Sequence, residues 1–392
     1  MHRGRGRSDG PVIRTIGILG GGQLGRMLAL EAKRMGYRVV TLEPFPDSPT
    51  GQVADEQLVA AYDDLRAIGE LGARSDVVTY EFENIPLESV LALEADRRLV
   101  DPNASVLRIT QERILEKTFV RECGIPTADF VAVRTRAEFE QALVQIGFPG
   151  VIKTAMGGYD GKGQWVVRDA AAAEEAWAAA RGRALIWERF VPFDRELSII
   201  ATRDDAGDVV SFPVSENIHD HGVLAMTIVP GRVPVAIADR AHAYAHTIAT
   251  RLGIVGTFCV EFFQAGDELL VNEIAPRVHN SGHYSLDATQ ISQYELHVRA
   301  ICGLPLVKPE LWRPAVMVNI LGTGEGDRLD GVRDVLRDPL LKLHLYGKTH
   351  ASLRRKMAHF TVLGETIDDA IARAERARAA LHWADDRVTS RT

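Results

Sequence analysis

The sequence predicts a mixed α/β and α+β protein in three parts: an N-terminal doubly wound unit, a central two-part domain and a small mixed C-terminal domain. Three observations carry that expectation. The chain has 392 residues, more than one compact core accommodates, so two or three domains are expected. After a short leader it runs strand, glycine turn, helix, strand, the opening of a βαβ unit. Far downstream, Gly256–Tyr284 (GTFCVEFFQAGDELLVNEIAPRVHNSGHY) reads as two strands joined by a short turn, followed by a polar loop.

In chain order, the basic, glycine-rich MHRGRGRSDG lacks the apolar segment of a signal peptide, and residues 1–12 are expected to be a disordered leader. Ile13–Leu19 is a strand, GGGQLGRMLALEAKRMG a glycine turn entering a helix, and Tyr37–Leu42 a second strand ending in Glu43. A proline-rich loop follows. Asp76–Tyr80 is a further strand that delivers Glu81, Glu83 and Asn84 to its C-terminal end, where open α/β sheets bind ligands. These elements make a Rossmann-like domain over 13–110. Asp101–Gly124 reads as a helical linker stopped by Ile125–Pro126.

The central domain, 111–310, begins with a subdomain over about 125–190. Phe130–Val133, Gly150–Thr154, Gln164–Arg168 and Ala184–Val191 are its strands; Arg136–Ile146 and Ala170–Arg181 are its helices. A strand bearing Glu196 follows, then Val209–Val214 and Leu224–Val229, with the polar segment SENIHDHG between the last two. Ala238–Leu252 is an amphipathic helix leading into the hairpin, and Ile291–Cys302 another helix. Leu304–Pro314, with three prolines, reads as the boundary of a C-terminal domain over 311–392. There Ala315–Leu321, His344–Tyr346 and Ala358–Leu363 read as strands and Asp368–His382 as a helix.

Composition narrows the function. The net charge of −7 argues against a nucleic-acid or anionic-membrane surface, and no apolar run reaches the length of a membrane span. Cys123, Cys259 and Cys302 show no metal-ligand spacing and suit a reduced, cytoplasmic protein.

The hairpin carries two acids in apolar company, Glu261 and Glu273. An odd-numbered loop centred near Asp267 would set them directly opposite, where like charges destabilise. A cation between them relieves this, and Mg²⁺ suits, since it binds through one or two carboxylates plus substrate phosphates. Two acids facing solvent remain the alternative on the hairpin alone. Upstream lie Lys117, Lys153, Lys162 in a glycine loop, Glu188 and Glu196. Lysines aimed at a polyphosphate, a glycine lid, an acid for ribose hydroxyls and two metal carboxylates compose a nucleotide site. The signatures of a P-loop and of a protein kinase are absent. The turn Gly20-x-Gly22-x-x-Gly25, with Glu43 placed for a ribose, would alone suggest NAD, but such glycines serve any phosphate or close packing.

The order of strand lysine, glycine loop, E-x-x-V hinge, strand Glu and N-E strand resembles the ATP-grasp superfamily. GGGQLGRML, YDGKGQW and NEIAPRVHNSGHYS together resemble its N5-carboxyaminoimidazole ribonucleotide synthase family, the ATP-dependent carboxylases of purine synthesis, from Ile13 to the last helix. The resemblance implies ATP-grasp architecture, ATP and Mg²⁺ as cofactors, and 5-aminoimidazole ribonucleotide and bicarbonate as substrates. It implies that Lys117, Lys153 and Lys162 contact ATP phosphates, that Glu188 through Val191 forms the adenine hinge and that Glu196 holds the ribose. Glu261 and Glu273 match the Mg²⁺ ligands. Asn272 precedes the second of them, whereas many ATP-grasp enzymes place an Asn two residues after it, where Ala275 stands. Arg277 and His279 match the residues that hold bicarbonate, with Tyr159 and Asp160 in a lid above. Gln23, Leu24, Glu83 and Asn84 fall where the ribonucleotide is held, and Lys348 and Arg355 match the grip on its 5′-phosphate. His279 or released phosphate is the base. His219 and His221 read as a surface pair, with a position facing the site as the alternative. A cytoplasmic homodimer is usual in the family.

Two alternatives stand beside this reading. A formate-dependent glycinamide ribonucleotide transformylase shares P-R-x-H and a C-terminal phosphate pair, but GQLGRML and the lid argue against it. An NAD-dependent oxidoreductase would leave the hairpin and the lysine series without a role.

Overall fold

The computed structural model describes residues 12–158, 163–324, 326–348 and 351–384. Its N-terminal unit is a five-stranded parallel sheet in the order Glu56–Val59, Arg38–Glu43, Thr15–Leu19, Val77–Tyr80, Leu99–Val100. The inner strands are near-continuous apolar runs because both faces are covered. Ile16, Ile18 and Leu28 pack toward Tyr294 and Val298 of the helix Gln293–Ile301, while Leu19, Val40 and Leu42 pack toward Ile68 and Leu71 of the helix Leu65–Arg74. The first contact ties this unit to the centre of the molecule. The edge strand Glu56–Val59 and the helices Leu65–Arg74 and Leu87–Ala95 were absent from the sequence reading, although Asp64 announces one by accepting hydrogen bonds from the amides of Arg66 and Ala67.

The expected linker helix is two helices, Ala104–Gln111 and Arg113–Glu122, broken where Glu112 is extended at φ −112° and ψ 110°. The Arg113 amide, freed from the helix ladder, donates to the Ala155 carbonyl at 2.9 Å. A four-stranded antiparallel sheet follows, in the order Phe130–Val133, Leu185–Arg189, Gly150–Thr154, Gln164–Val167. The helices Arg136–Gln145, opened by a Thr135/Glu138 capping box, and Ala170–Ala180 pack on it around Phe139 and Trp187.

The largest layer is a nine-stranded antiparallel sheet. Its order is Glu268–Ala275, Gly256–Ala265, Arg195–Arg203, Ser215–Asp220, Val223–Val229, Ala315–Leu321, Lys356–Leu363, Leu341–Leu345, with Val209–Ser211 paired to Arg195–Arg203 off this path. Because Val223–Val229 pairs with Ala315–Leu321, one sheet continues into the C-terminal segment. The polar segment SENIHDHG is itself a strand, Ser215–Asp220. Its polar side chains are paired rather than solvated: Arg232 donates to Glu216, and Asn217 lies between Thr227 and Ser198.

Strand alternation then sorts the side chains. Leu197, Ile199, Phe258, Val260 and Phe262 pack against Ile237, Ala241 and Ile248 of the helix Val235–Leu252. Glu196, Ser198 and Glu261 take the opposite face. The hairpin turn has two residues, Gly266 and Asp267, between the paired Ala265 and Glu268, not the odd number considered above. A register shift after Glu261, which leaves Asn272 unpaired, nevertheless brings Glu261 opposite Glu273.

Candidate active site

A cavity of about 790 Å³ opens where the three sheets meet, a size suited to a small-molecule site. Gln23, Leu24, Glu83 and Asn84 reach it from the N-terminal unit, Lys153 from the four-stranded sheet, and Glu196, Glu261, Asn272 and Glu273 from the nine-stranded sheet. Arg277 and His279 come from the loop after the hairpin. Lys117, Glu188 and Val191 are not among its lining residues; Lys348 and Arg355 line a neighbouring cavity of about 400 Å³. Tyr159, Asp160 and Lys162 lie outside the described residues.

The hairpin acids face each other, and burial together with the Glu273 charge pushes the Glu261 carboxyl up to about 8. Arg113 Nη1 lies 3.3 Å from Glu273 Oε2. A third acid, Glu116, is also raised to about 8 by burial and by Glu273, and accepts the Ile274 amide at 2.6 Å. The facing carboxyls of Glu261 and Glu273 are an oxygen donor pair that a hard divalent cation fits, with His279 Nε2 3.3 Å from Glu261 Oε1 and Arg113 beside Glu273.

Behind this face, Glu188 is clamped between Lys153 at 2.9 Å and Lys117 at 3.6 Å. Burial opposes its ionisation, but the two ammonium groups pull its carboxyl down to about 2. Lys153 Nζ also donates to Asn272 Oδ1 at 3.4 Å. His219 corrects the expectation of a surface pair. Its Nδ1 lies 2.7 Å from Glu196 Oε2 in the cavity wall; burial lowers its pKa, yet the Glu196 bond and charge raise it overall. Only His221, with a side chain 70% exposed, is on the surface. Strand pairing of a supposed loop is what turns His219 inward.

At the other end, Arg277 donates through Nε and Nη2 to the two oxygens of Glu83, at 2.5 and 3.0 Å. Burial resists the Glu83 charge, and Arg277 overcomes it, holding the carboxyl below its usual range. The glycine turn is closed by the protein's own acids. Glu43 accepts the Gly21 amide at 2.8 Å, and the buried Glu81 accepts the amides of Gly22 and of Gly25, the latter at 2.7 Å. A Cβ on Gly20, at φ +116°, would stand 2.4 Å from Glu81 Cγ. The glycines make room for this carboxylate, which occupies the helix N-terminus a pyrophosphate would need. Lys348 Nζ donates to Gln23 Oε1 at 2.7 Å, so the C-terminal segment touches the same turn.

Sequence reasoning passed over Arg113, Glu116 and Asn280, all in the cavity wall. The i, i+3 and i+4 spacing of Arg113, Glu116 and Lys117 was a usable signal of one helix face. Asn280 offered none, yet its buried amide has neither Nδ2 nor Oδ1 hydrogen-bonded.

Comparison with known proteins bears on the same residues. The Ribonucleotide synthetase preATP-grasp domain matches residues 13–111, the ATP-grasp domain 118–294 and the Phosphoribosylaminoimidazole carboxylase C-terminal domain 315–373. The N5-carboxyaminoimidazole ribonucleotide synthase of Bacillus subtilis (strain 168) is 45% identical over 360 residues, 91% of this chain and 93% of the relative. The chain belongs to the N5-carboxyaminoimidazole ribonucleotide synthase family. An ADP complex of an N5-carboxyaminoimidazole ribonucleotide synthetase superposes with a TM-score of 0.88 at 45% identity, covering 93% of this chain and 96% of that one. The Aspergillus clavatus synthase, in complex with ADP and 5-aminoimidazole ribonucleotide, gives 0.87 at 30% identity, covering 94% and 98%. Membership in this ATP-grasp ligase family, with the turn already filled by Glu81, sets aside the oxidoreductase and the transformylase.

Proposed function

We propose that the chain uses ATP and bicarbonate to carboxylate the exocyclic amine of 5-aminoimidazole ribonucleotide, through carboxyphosphate, in purine biosynthesis. The observation that carries this reading is the single cavity lined at one end by Lys153, Glu196 and Asn272 and at the other by Gln23, Leu24 and Glu83. A nucleotide and an acceptor can meet there.

Lys153 and Lys162 bind the phosphates, and Lys117 acts through Glu188, which its charge keeps ionised beside the hinge that ends at Val191. Glu196, steadied by His219, takes the ribose. Glu261 and Glu273 hold Mg²⁺, with Asn272 alongside. Mg²⁺, when bound, neutralises charge on the phosphates during transfer. Arg277 and His279 hold bicarbonate; the Arg277 fork is engaged by Glu83 through Nε and Nη2 and by the Val278 carbonyl through Nη1, and these bonds orient the arginine. To Tyr159 and Asp160, which lie outside the described residues, we assign the exclusion of water, to which carboxyphosphate is labile. Lys348 and Arg355 grip the 5′-phosphate, while Gln23, Leu24, Glu83 and Asn84 hold the rest of the ribonucleotide.

We assign the protein to the cytoplasm as a homodimer, the usual state in the family; no helix among the described residues is long and apolar enough to cross a membrane. Phosphate release from ATP tests the function. It should require bicarbonate and rise on adding 5-aminoimidazole ribonucleotide; release indifferent to both would refute it.

A further inference from the structure

One hydrogen-bonded row crosses the nine-stranded sheet and ends on His279. Thr227 Oγ1 donates to Asn217 Oδ1 at 3.0 Å, and Asn217 Nδ2 donates to Ser198 Oγ at 2.9 Å. Ser198 Oγ donates to Ser281 Oγ at 2.8 Å, and Ser281 Oγ lies 2.9 Å from His279 Nδ1. Thr227, Asn217, Ser198 and Ser281 are all buried, so water does not compete for these bonds. Each hydroxyl has one proton to give. Once the Asn217 amide donates to Ser198, the Ser198 proton goes to Ser281. Of the two groups facing Ser281 Oγ, Cys259 Sγ at 4.0 Å is a weak acceptor and His279 Nδ1 at 2.9 Å a strong one, so the Ser281 proton goes to His279. The Ser281 backbone amide, which can only donate, also points at Nδ1, at 3.3 Å. Gln293 pins the histidine backbone from both sides, accepting its amide at 2.8 Å and donating to its carbonyl at 2.7 Å. Nδ1 is therefore held as an acceptor, and the ring proton sits on Nε2, which faces Glu261 Oε1 at 3.3 Å in the cavity wall.

We propose that Ser281 and Ser198, oriented by Asn217, are positioning residues that lock His279 as an Nε2–H donor, so that it binds anionic oxygen in the site instead of serving as a base. The inference deepens the carboxylase reading and rests on it for its kinetic consequence. In the carboxylation step carboxyphosphate breaks its C–O bond to give CO₂ and phosphate, and a C=O π pair of that CO₂ becomes carboxylate charge as the amine nitrogen forms the new C–N bond. Its surplus proton must then pass to a group other than His279, and the phosphate set free in the same cavity is able to accept it. No oxidation or reduction is involved. A preorganised donor aimed at developing oxyanion charge is a recognised source of rate.

The test is long-range ¹H–¹⁵N NMR on the full chain with ¹⁵N-labelled histidine, which separates the Nε2–H from the Nδ1–H tautomer. With 12 histidines in the chain, the His279 signals are identified by their loss in His279→Asn. The expected result is an Nε2–H pattern in the wild type. In Ser281→Ala, and in the more remote Ser198→Ala if the first fails to fold, the Nδ1 resonance should move toward that of an unbonded ring nitrogen, and Ser281→Thr should restore it. In kinetics, Ser281→Ala should lower kcat for ribonucleotide-dependent phosphate release about tenfold, less than the hundredfold or more of deleting an oxyanion donor. The Michaelis constant for ATP should stay near the wild-type value, and Ser281→Thr should recover turnover. An Nδ1–H pattern in the wild type overturns the proposal, as does an Nδ1 signal or a kcat indifferent to Ser281→Ala. Absence of any ribonucleotide-dependent turnover in the wild type would instead refute the carboxylase reading, while the spectra would still decide the tautomer.

Discussion

Two sets of acids line this molecule's cavities, and they are built in opposite ways. At the glycine turn, Glu81 is buried against backbone amides of Gly22 and Gly25, with Glu43 on Gly21. Burial pushes its carboxyl above the usual range, and the amides at the helix N-terminus pull against that shift, so its oxygens are already partnered by the chain itself. On the hairpin, Glu261 faces Glu273 with Glu116 behind, and Arg113 is the cation nearest Glu273, at 3.3 Å. That cluster is short of positive charge. The same residue type thus closes a ligand site in one place and opens one in the other, and backbone geometry makes the difference.

The largest expected effect comes from the open cluster. Glu273→Gln should lower turnover at least about a hundredfold by removing half of the facing carboxylate charge. The fold should persist, as circular dichroism checks. Wild-type turnover in that variant would make the hairpin acids structural. Next comes the closed turn, which carries Gln23 toward Lys348. Lys348→Ala and Arg355→Ala should each raise the Michaelis constant for the ribonucleotide about tenfold or more, the loss of a charged contact to phosphate. The constant for ATP should hardly move. Steady-state titration of both substrates decides this, and unchanged constants would mean that the acceptor is held elsewhere.

How much of this contrast was legible beforehand depends on what pattern each part leaves. The hairpin acids stand out because a carboxylate between Val260 and Phe262 breaks an apolar strand. The strands Phe130–Val133, Gly150–Thr154 and Ala315–Leu321 lie where their apolar content put them. The strand Ser215–Asp220 was missed because its polar residues are satisfied across the sheet, by partners in distant sequence, and a periodicity reading sees only polarity. His219 was misplaced with it. Glu81 was read with Glu83 and Asn84 as part of a ligand-facing strand end; that it closes the glycine turn instead was not legible, since the amides it fills belong to a turn 56 residues away at Gly25. The pairing of Glu261 with Glu273 was anticipated, but through an odd loop, where the protein uses a two-residue turn and a bulge at Asn272.

The pH dependence of stability sharpens the contrast without using activity. In the metal-free chain the native state holds protons on Glu261 and Glu116 up to about pH 8, whereas an unfolded glutamate releases its proton near pH 4.3. Raised native pKa values mean that this contribution is complete below about pH 4 and is lost as pH rises through about 8. Tm of the metal-free chain should therefore fall between pH 6 and pH 9. Added Mg²⁺ should raise Tm more at pH 9, where it need not displace protons, than at pH 6. A Mg²⁺ effect that does not grow with pH would show that the cluster is not where the cation binds.

The smallest effect is the most direct comparison, the same substitution made at both sites and read in stability alone. Glu81 gives two oxygens to two backbone amides, and it is buried. Glu81→Gln keeps one acceptor and turns the other into an amide donor that points at a donor. One buried N–H then loses its partner, at a cost of about 1–3 kcal/mol. Glu273→Gln removes a charge from a pair of facing acids, so in metal-free buffer at high pH it should raise stability, by up to about 1 kcal/mol for like charges set directly opposite. Urea denaturation of both variants at pH 9 without divalent cation measures the two signs side by side. Opposite signs mean that the glycine turn is complete in itself and the hairpin is waiting for a cation. If Glu273→Gln destabilises as Glu81→Gln does, the hairpin acids are already balanced by Arg113, and the contrast between the two sites fails.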